Sequence, residues 1–574
     1  MSPSWLKSTL KTVRAPLAEL VTIIIIGTLI GLVLAIVSNL FVSGVQYFSS
    51  QRSSSHIFLF SLNDVTINFS SIIFLWLAAS IIALVRTAFK ITAWAGPADS
   101  IYAAHQIHEP LDIKRGLAST FAAFTSASGG ASVGQYGPIV HFGATMGIWV
   151  KRFVSSKLSH EIYLGCGVAA AISAGFNAPI AGVVFAHEAI LRHFSMRAIA
   201  PITVSAVSAS AFTNFALPKN ATFNIDPIIP SLSDILPTLV MFSPVFSLVA
   251  IVFMVSLKAS ANMAQRSTLS PTALVFFAAT ICGTVGIWVP EILGLGIGPV
   301  NEMLAGQYPI KLLIMVLALK IAMTALCLGS GLFGGVFSPS IFIGVAAGSL
   351  TGQLLVSFGY ADIASVIGIA AMAAVSSAVI GAPIASVLIV LELTRSYEYA
   401  VAAMMAVTLC GLITNRVFDQ SYFDRQLKDR GILINMGREW IALNHAKVFS
   451  YINTRFLKIS NNIQCNVVLK DMQAMGVAEA YVIDEAGLLV KKLEVLDVVA
   501  AGTQPVRDVP CDTPIILMSD DSLDIAMQKV SQFVGESLPI IDQSTGKMLG
   551  TITEGELFQA ILKIQLQVRK MERS

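Results

Sequence analysis

Two glycine-rich segments decide how this chain folds: Gly134-Gln135-Tyr136-Gly137-Pro138 and Gly331-Leu332-Phe333-Gly334-Gly335-Val336-Phe337-Ser338-Pro339. Each interrupts a long apolar stretch, residues 116–150 and 329–356. Glycine costs roughly 1 kcal/mol in a helix interior and proline about 3, so each stretch is predicted to break and to restart as a new helix. Residues 116–150 contain no Lys, Arg, Asp or Glu, which places the break at membrane depth. Irregular backbone is tolerated there only where protein buries it or where it lines a cavity. The breaks therefore mark a buried site.

The interruptions repeat. Gly134, Pro138, Gly143 and Gly147 recur as Gly335, Pro339, Gly344 and Gly348, all at an offset of 201 residues. Downstream, Asn177-Ala178-Pro179-Ile180-Ala181 recurs as Gly381-Ala382-Pro383-Ile384-Ala385, and Glu188 as Glu392, at an offset of 204. Two ordered blocks at nearly one offset imply an internal duplication, with halves at about 20–217 and 235–423. Paired helix breaks in corresponding halves are a mark of transporters built from inverted repeats.

Composition agrees with a membrane setting. Of 574 residues, 55% are hydrophobic and only 12% charged, against about 25% charged in soluble domains. The mean hydropathy is +0.75. The run 21–42 carries no charge and can cross a hydrocarbon core of about 30 Å. It exceeds the roughly 7–15 residues of a cleavable signal core, so it is expected to stay as a helix. Lys7, Lys11 and Arg14 precede it, which places residues 1–19 in the cytosol by the positive-inside rule. The expectation is a multi-pass protein of the cell membrane with both termini cytosolic. A net charge of +3 is too small to suggest nucleic acid as a partner. No CxxC or Cys/His cluster occurs, so the six cysteines read as buried thiols.

Past residue 423 the character changes. A charged linker, 424–445, leads to two similar units, 446–505 and 506–566, and a short tail, 567–574. Each unit offers an amphipathic helix, a short β run ending in Asp (Asp484, Asp542), a turn glycine, and a second strand entering a helix. The predicted fold class is thus an all-α polytopic membrane domain with broken helices and an inverted repeat, followed by an α/β pair.

An anion in a membrane needs donors, yet a full Lys or Arg charge would hold it too tightly to let it leave. Backbone N–H groups at helix N-termini supply donors and partial positive charge without a counter-ion. Both glycine-rich segments fit that design, although small residues also serve close helix packing. Together they resemble the signature of the CLC family of chloride channels and transporters. Gly329-Ser330-Gly331 and Gly335-Val336-Phe337-Ser338-Pro339 are similar to the family's GSG…GxFxP motif. The resemblance implies that the amides of Val336 and Phe337 bind the permeant anion. Residues 177–182 and 391–394 also look like family segments, and Tyr422 stands where the family puts a tyrosine hydroxyl on the central anion. The two tail units resemble CBS domains.

Three departures matter. The family motif GREGP, whose glutamate gates the pore and carries protons, reads Gly134-Gln135-Tyr136-Gly137-Pro138 here. A phenol titrates near about 10, against about 4.3 for a glutamate, so Tyr136 is a poor proton carrier and a good neutral donor. The position of the exchangers' inner proton glutamate is Ala189, next to Glu188, which reads as a hydrogen-bonding carboxylate; His187 reads as a packed or pore-lining histidine. The family's first motif, GSGIP, appears as Ala93-Trp94-Ala95-Gly96-Pro97, so Trp94 or Ala95 replaces its anion-coordinating serine. In the tail, CBS units bind adenine nucleotide through an Asp three residues after a Thr or Ser. Thr553 and Glu556 approximate that pattern, whereas Glu494 and Asp497 lack the hydroxyl.

The expected protein is a homodimer in the lipid bilayer with one pore per subunit. Its ligand is chloride or another small anion, with no cofactor unless the tail takes adenine nucleotide. Passive conduction gated at Tyr136 is expected; the alternative is a proton/chloride antiporter with another proton path. No nucleophile–base or metal-ligand spacing occurs in the apolar segments, which argues against an enzyme. A nucleotide sensor alone would not need the duplicated breaks.

Overall fold

The computed structural model describes residues 4–54, 59–62, 65–106, 111–154, 158–216, 232–360, 363–510, 514–531 and 536–573. The chain divides into a large helical unit that ends at Ile432 and a tail that begins at Leu433. The first half of the helical unit contains α1 (Ser4–Ser54), α2 (Ser70–Ala88), α3 (Pro97–His105), α4 (Ile113–Gly129), α5 (Tyr136–Phe153), α6 (His160–Phe176), α7 (Pro179–Phe185) and α8 (Met196–Ala216). The second contains α9 (Leu232–Arg266), α10 (Pro271–Trp288), α11 (Ile297–Leu304), α12 (Ile310–Ser330), α13 (Phe337–Ser357), α14 (Ala364–Ile380), α15 (Pro383–Thr394), α16 (Tyr397–Phe418) and α17 (Tyr422–Lys428). The junction between the halves lies outside the described residues. Among the described residues, eight helices are long and apolar enough to cross a membrane. Residues 4–19 of the expected cytosolic segment belong to α1, and residues 1–3 lie outside the described residues.

Both predicted breaks are present. The stretch 116–150 is split between α4 and α5, and 329–356 between α12 and α13. Gly130 and Gly331 end the incoming helices with the same left-handed backbone, φ +100° at each, a conformation that only glycine adopts cheaply. The repeated glycines further along have a second role. A Cβ on Gly143 would lie 2.3 Å from the Gly167 carbonyl oxygen, and one on Gly147 2.0 Å from that of Tyr163. Their repeats Gly344 and Gly348 meet the carbonyls of Ala371 and Ile367 at 2.7 and 2.6 Å in the same sense. Glycine thus brings α5 onto α6 and α13 onto α14, the close packing that replaces the hydrophobic effect inside lipid. The five described cysteines are buried free thiols, and Cys511 lies outside the described residues.

The tail holds two three-stranded sheets. The first is β3 (Leu457–Ile459), β4 (Glu479–Ile483) and β5 (Leu489–Glu494); the second is β6 (Leu517–Met518), β7 (Ser537–Ile541) and β8 (Met548–Thr553). The strands β1 (Leu59–Leu62) and β2 (Val65–Asn68) form a separate hairpin after α1. In each tail sheet the first pair is parallel and the second antiparallel. Each antiparallel pair shifts register at the equivalent step, Val482/Ile483 and Ile540/Ile541. Val506 and Val509 pack in the core of the first sheet, while Leu443 and Val448 pack in that of the second. A buried ion pair, Glu479 with Lys492, lies within the first sheet, and the Lys492 ammonium also donates to the Ser537 oxygen of the second at 3.0 Å. Glu479 accepts from the Ser537 N–H at 3.0 Å and its hydroxyl at 2.6 Å. Burial pushes the neighbouring Tyr481 phenol above its ordinary range, and its hydroxyl stays bonded to Ser537.

Candidate functional site

The two glycine-rich segments meet. Gly134 N–H donates to the Gly335 oxygen and Gly335 N–H to the Gly134 oxygen, both at 2.7 Å, an antiparallel bridge between the halves. Equivalent residues of the two halves thus meet about a local two-fold relation. The backbones cross so closely that side chains are excluded. A Cβ on Gly134 would lie 2.8 Å from the Gly335 oxygen, and one on Gly335 2.9 Å from the Gly137 nitrogen. Next to this crossing, α5 starts at Tyr136 and α13 at Phe337. The first-turn N–H groups of Tyr136, Gly137 and Phe337 find no carbonyl or side-chain acceptor among the described residues. Two helix N-termini therefore present donors and positive dipole ends at one place.

Tyr136 and Phe337, equivalent positions of the repeat, touch with ring centroids 5.5 Å apart. Tyr136 stacks on Phe176 at 3.9 Å, and Phe337 reaches Phe176 at 5.3 Å and Phe185 at 6.3 Å. The Tyr136 hydroxyl points at the Gly175 oxygen from 3.4 Å, too long for a strong bond. A small cavity adjoins these rings, with room for about one water-sized sphere (about 10 Å³). Tyr136, Gly137, Ala189 and Phe337 line it together with Pro97, Ile101, Phe185 and Phe423. Positions 136 and 189, far apart in sequence, thus face one apolar space.

The other predicted residues occupy the rim or leave it. Gln135 is buried, and its N–H donates to the Ser338 hydroxyl at 3.3 Å while its Oε1 has no partner among the described residues. Val336 precedes α13 and is buried. Trp94 stacks on Phe333 at 5.9 Å. The Ala95 N–H donates to the Ser119 hydroxyl at 2.9 Å. Pro97, not Trp94 or Ala95, reaches the cavity wall. Tyr422 begins α17, half-buried beside Phe423 at 6.0 Å, and Phe423 is the neighbour that lines the cavity. His187 is buried and stacks on Phe194 at 5.1 Å.

Glu188 caps the opposite half. Its carboxylate accepts from Ile384 N–H at 2.9 Å and Ala385 N–H at 2.8 Å, at the start of α15. Glu392 does the same for α7, accepting from Ile180 at 3.1 Å and Ala181 at 2.8 Å. The sequence repeat held Glu392 in view but not this exchange, because nothing local distinguishes a carboxylate that caps its own helix from one that caps another. Phe176, Phe185 and Phe423 were also missed; as aromatics in apolar runs they carry no signal until the fold brings them together.

A family model for the voltage gated chloride channel matches residues 75–415. The chain belongs to the voltage gated chloride channel family. Among CLC relatives, it is 30% identical over 312 residues to a putative chloride channel protein ClcB-like of Ralstonia nicotianae, covering 53% of this chain and 72% of that one. It is 26% identical over 430 residues to the H(+)/Cl(-) exchange transporter ClcA of Vibrio campbellii, covering 71% and 88%. The fold is similar to that of a slow cyanobacterial Cl-/H+ antiporter, with TM-score 0.62, 19% identity and coverage of 71% of this chain and 97% of that one. A eukaryotic CLC transporter matches with TM-score 0.61 and 17% identity over 94% of this chain and 98% of that one. The latter match extends the CLC-like fold beyond the helical unit.

In the tail, Thr553 and Glu556 form a capping box at the start of a helix, α18 (Glu554–Arg573). Glu556 Oε2 accepts from the Thr553 N–H at 2.9 Å, and the Thr553 hydroxyl accepts from the Glu556 N–H at 3.1 Å. The Glu556 Oε1 accepts from Asn453 at 2.9 Å. Glu494 and Asp497 make the corresponding box in the first unit. The pattern read as nucleotide-like has this capping use.

Proposed function

We propose that the protein conducts chloride or a similarly small anion passively through the bilayer, without proton coupling, and that Tyr136 gates the path. The observation that carries the reading is the apolar cavity beside the crossed loops. Tyr136 and Ala189, which stand at the family's two proton-handling positions, both face it, and no carboxylate is among its lining residues. The anion is held by the amides of Tyr136, Gly137, Val336 and Phe337, and passes when the Tyr136 ring moves off Phe176. We extend the reading to a homodimer with one pathway per subunit, cytosolic termini, and a CBS-type tail that acts structurally. The competing reading, proton/chloride antiport, draws on the exchanger named among the relatives and needs a proton path that bypasses residues 136 and 189.

Purified protein in sealed vesicles decides between them. Chloride should run down its gradient while external pH stays constant, and an imposed chloride gradient should not drive protons uphill. Uphill proton movement at a fixed ratio to chloride would overturn the passive reading.

A further inference from the structure

Two buried cations of the helical unit play no part in this scheme. Arg52, in the last turn of α1, is only 7% exposed. Its Nη2 donates to the Ser49 hydroxyl at 3.2 Å, and its buried Nη1 has no partner among the described residues. The guanidinium lies against Gly130, where a Cβ would come within 2.3 Å of Nη1. Lys320, in α12, is wholly buried. Its ammonium donates to the carbonyls of Ile292 at 2.8 Å and Gly294 at 3.1 Å, and sits 4.9 Å over the Phe342 ring. The Gly294 N–H donates to the Gly130 oxygen at 3.1 Å, so both cations flank one backbone contact. Gly130 is four residues before the Gly134 crossing.

Arg52 and residues 293–296 line a cavity of about 720 Å³. Ser53, Asn68 and Ser71 share its wall, and no Asp or Glu lines it. Neither cation has a carboxylate partner among the described residues. A buried, uncompensated charge is costly and is retained where something completes it. The guanidinium with an unpartnered nitrogen and the absence of acids from the cavity wall select an anion. The Lys320 ammonium, bonded to the carbonyl of the lining residue Gly294, adds positive charge beside the cavity. We propose that this cavity is an anion-loading vestibule in which a small monovalent inorganic anion binds at the Arg52 guanidinium before reaching the crossed loops. A cavity roomy enough for many waters weakens the charge attraction enough to keep the anion exchangeable, unlike a full charge within the narrow path itself. The proposal rests on the anion-conduit reading for the direction of traffic, but the binding site stands apart from it.

The test uses bromide as the probe. In crystals of the full chain soaked in bromide, an anomalous peak is expected in the cavity within hydrogen-bonding distance of the Arg52 guanidinium, absent in Arg52→Gln crystals. In sealed vesicles, Arg52→Gln should lower bromide flux several-fold at low bromide and leave the saturated rate unchanged, whereas Arg52→Lys should retain most of the low-bromide rate. No peak at Arg52 in the parent crystals overturns the site, whether or not the variants fold. A peak with no flux in the parent leaves the site standing and removes the conduit reading. A peak with flux equally reduced at all concentrations overturns the loading role.

Discussion

If the Tyr136 ring is the obstruction, Tyr136→Ala should open the path and Tyr136→Phe should not. To let an anion pass, the ring must leave its stack on Phe176 at 3.9 Å and its edge contact with Phe337 at 5.5 Å. Aromatic pairs contribute about 0.5–1.5 kcal/mol each beyond area burial, so two of them set a barrier of about 1–3 kcal/mol. That is roughly 5- to 150-fold in rate. The hydroxyl adds little, since it meets the Gly175 oxygen at 3.4 Å, and its loss should change flux by no more than about two-fold. Chloride efflux from vesicles, scaled to protein incorporated, measures all three proteins. A Phe variant that speeds efflux as much as the Ala variant would show that the hydroxyl, not the ring, is the latch. An Ala variant no faster than the parent would refute the gate. Tyr136→Glu should add acid activation, because a carboxylate at the same helix N-termini can compete with chloride until it is protonated.

Gly335→Ala should abolish a folded preparation, judged by size-exclusion profile, because its Cβ lies 2.9 Å from backbone that cannot retreat, while Gly298→Ala, with open space around it, should match the parent. Glu479→Ala strands the buried Lys492 charge and should destabilise the tail by about 3–5 kcal/mol, read as faster proteolysis of residues beyond 433. Thr553→Ala should cost about 0.5–2 kcal/mol through loss of the cap, and calorimetry with ATP should show no heat in either parent or variant. A tight ATP site lost in Thr553→Ala would make the capping box a binding site as well.

The fold was legible where the sequence repeated itself. Helix breaks at Gly134 and Gly335, the matching Pro138 and Pro339, and the paired Glu188 and Glu392 all announced two related halves, because each reflects a backbone requirement that only a few residue types meet. The site was legible in part for the same reason: Tyr136 and Ala189 were located by their motifs, and the structure sets both on one cavity. Phe176, Phe185 and Phe423 were not legible, since an aromatic in an apolar run looks alike whether it faces lipid, core or path. Tyr422, whose position was readable from the motif, begins α17 next to Phe423, which lines the cavity. Arg52 was equally silent; a lone basic residue at the end of an apolar run reads as a membrane-surface anchor until its burial is seen.

The exchange of carboxylates between the halves also sets a schedule for making the protein. Glu188 waits for amides that lie 196 residues downstream, at Ile384, and the start of α7 waits equally for Glu392. At about 5–20 residues per second, a ribosome leaves the first half in the bilayer for roughly 10–40 s with a helix end exposed and an acid unspent. In that interval the half-made chain is the form a quality-control protease would meet. Expressed alone, residues 1–216 should be degraded, and supplying residues 232–574 as a second chain should rescue them.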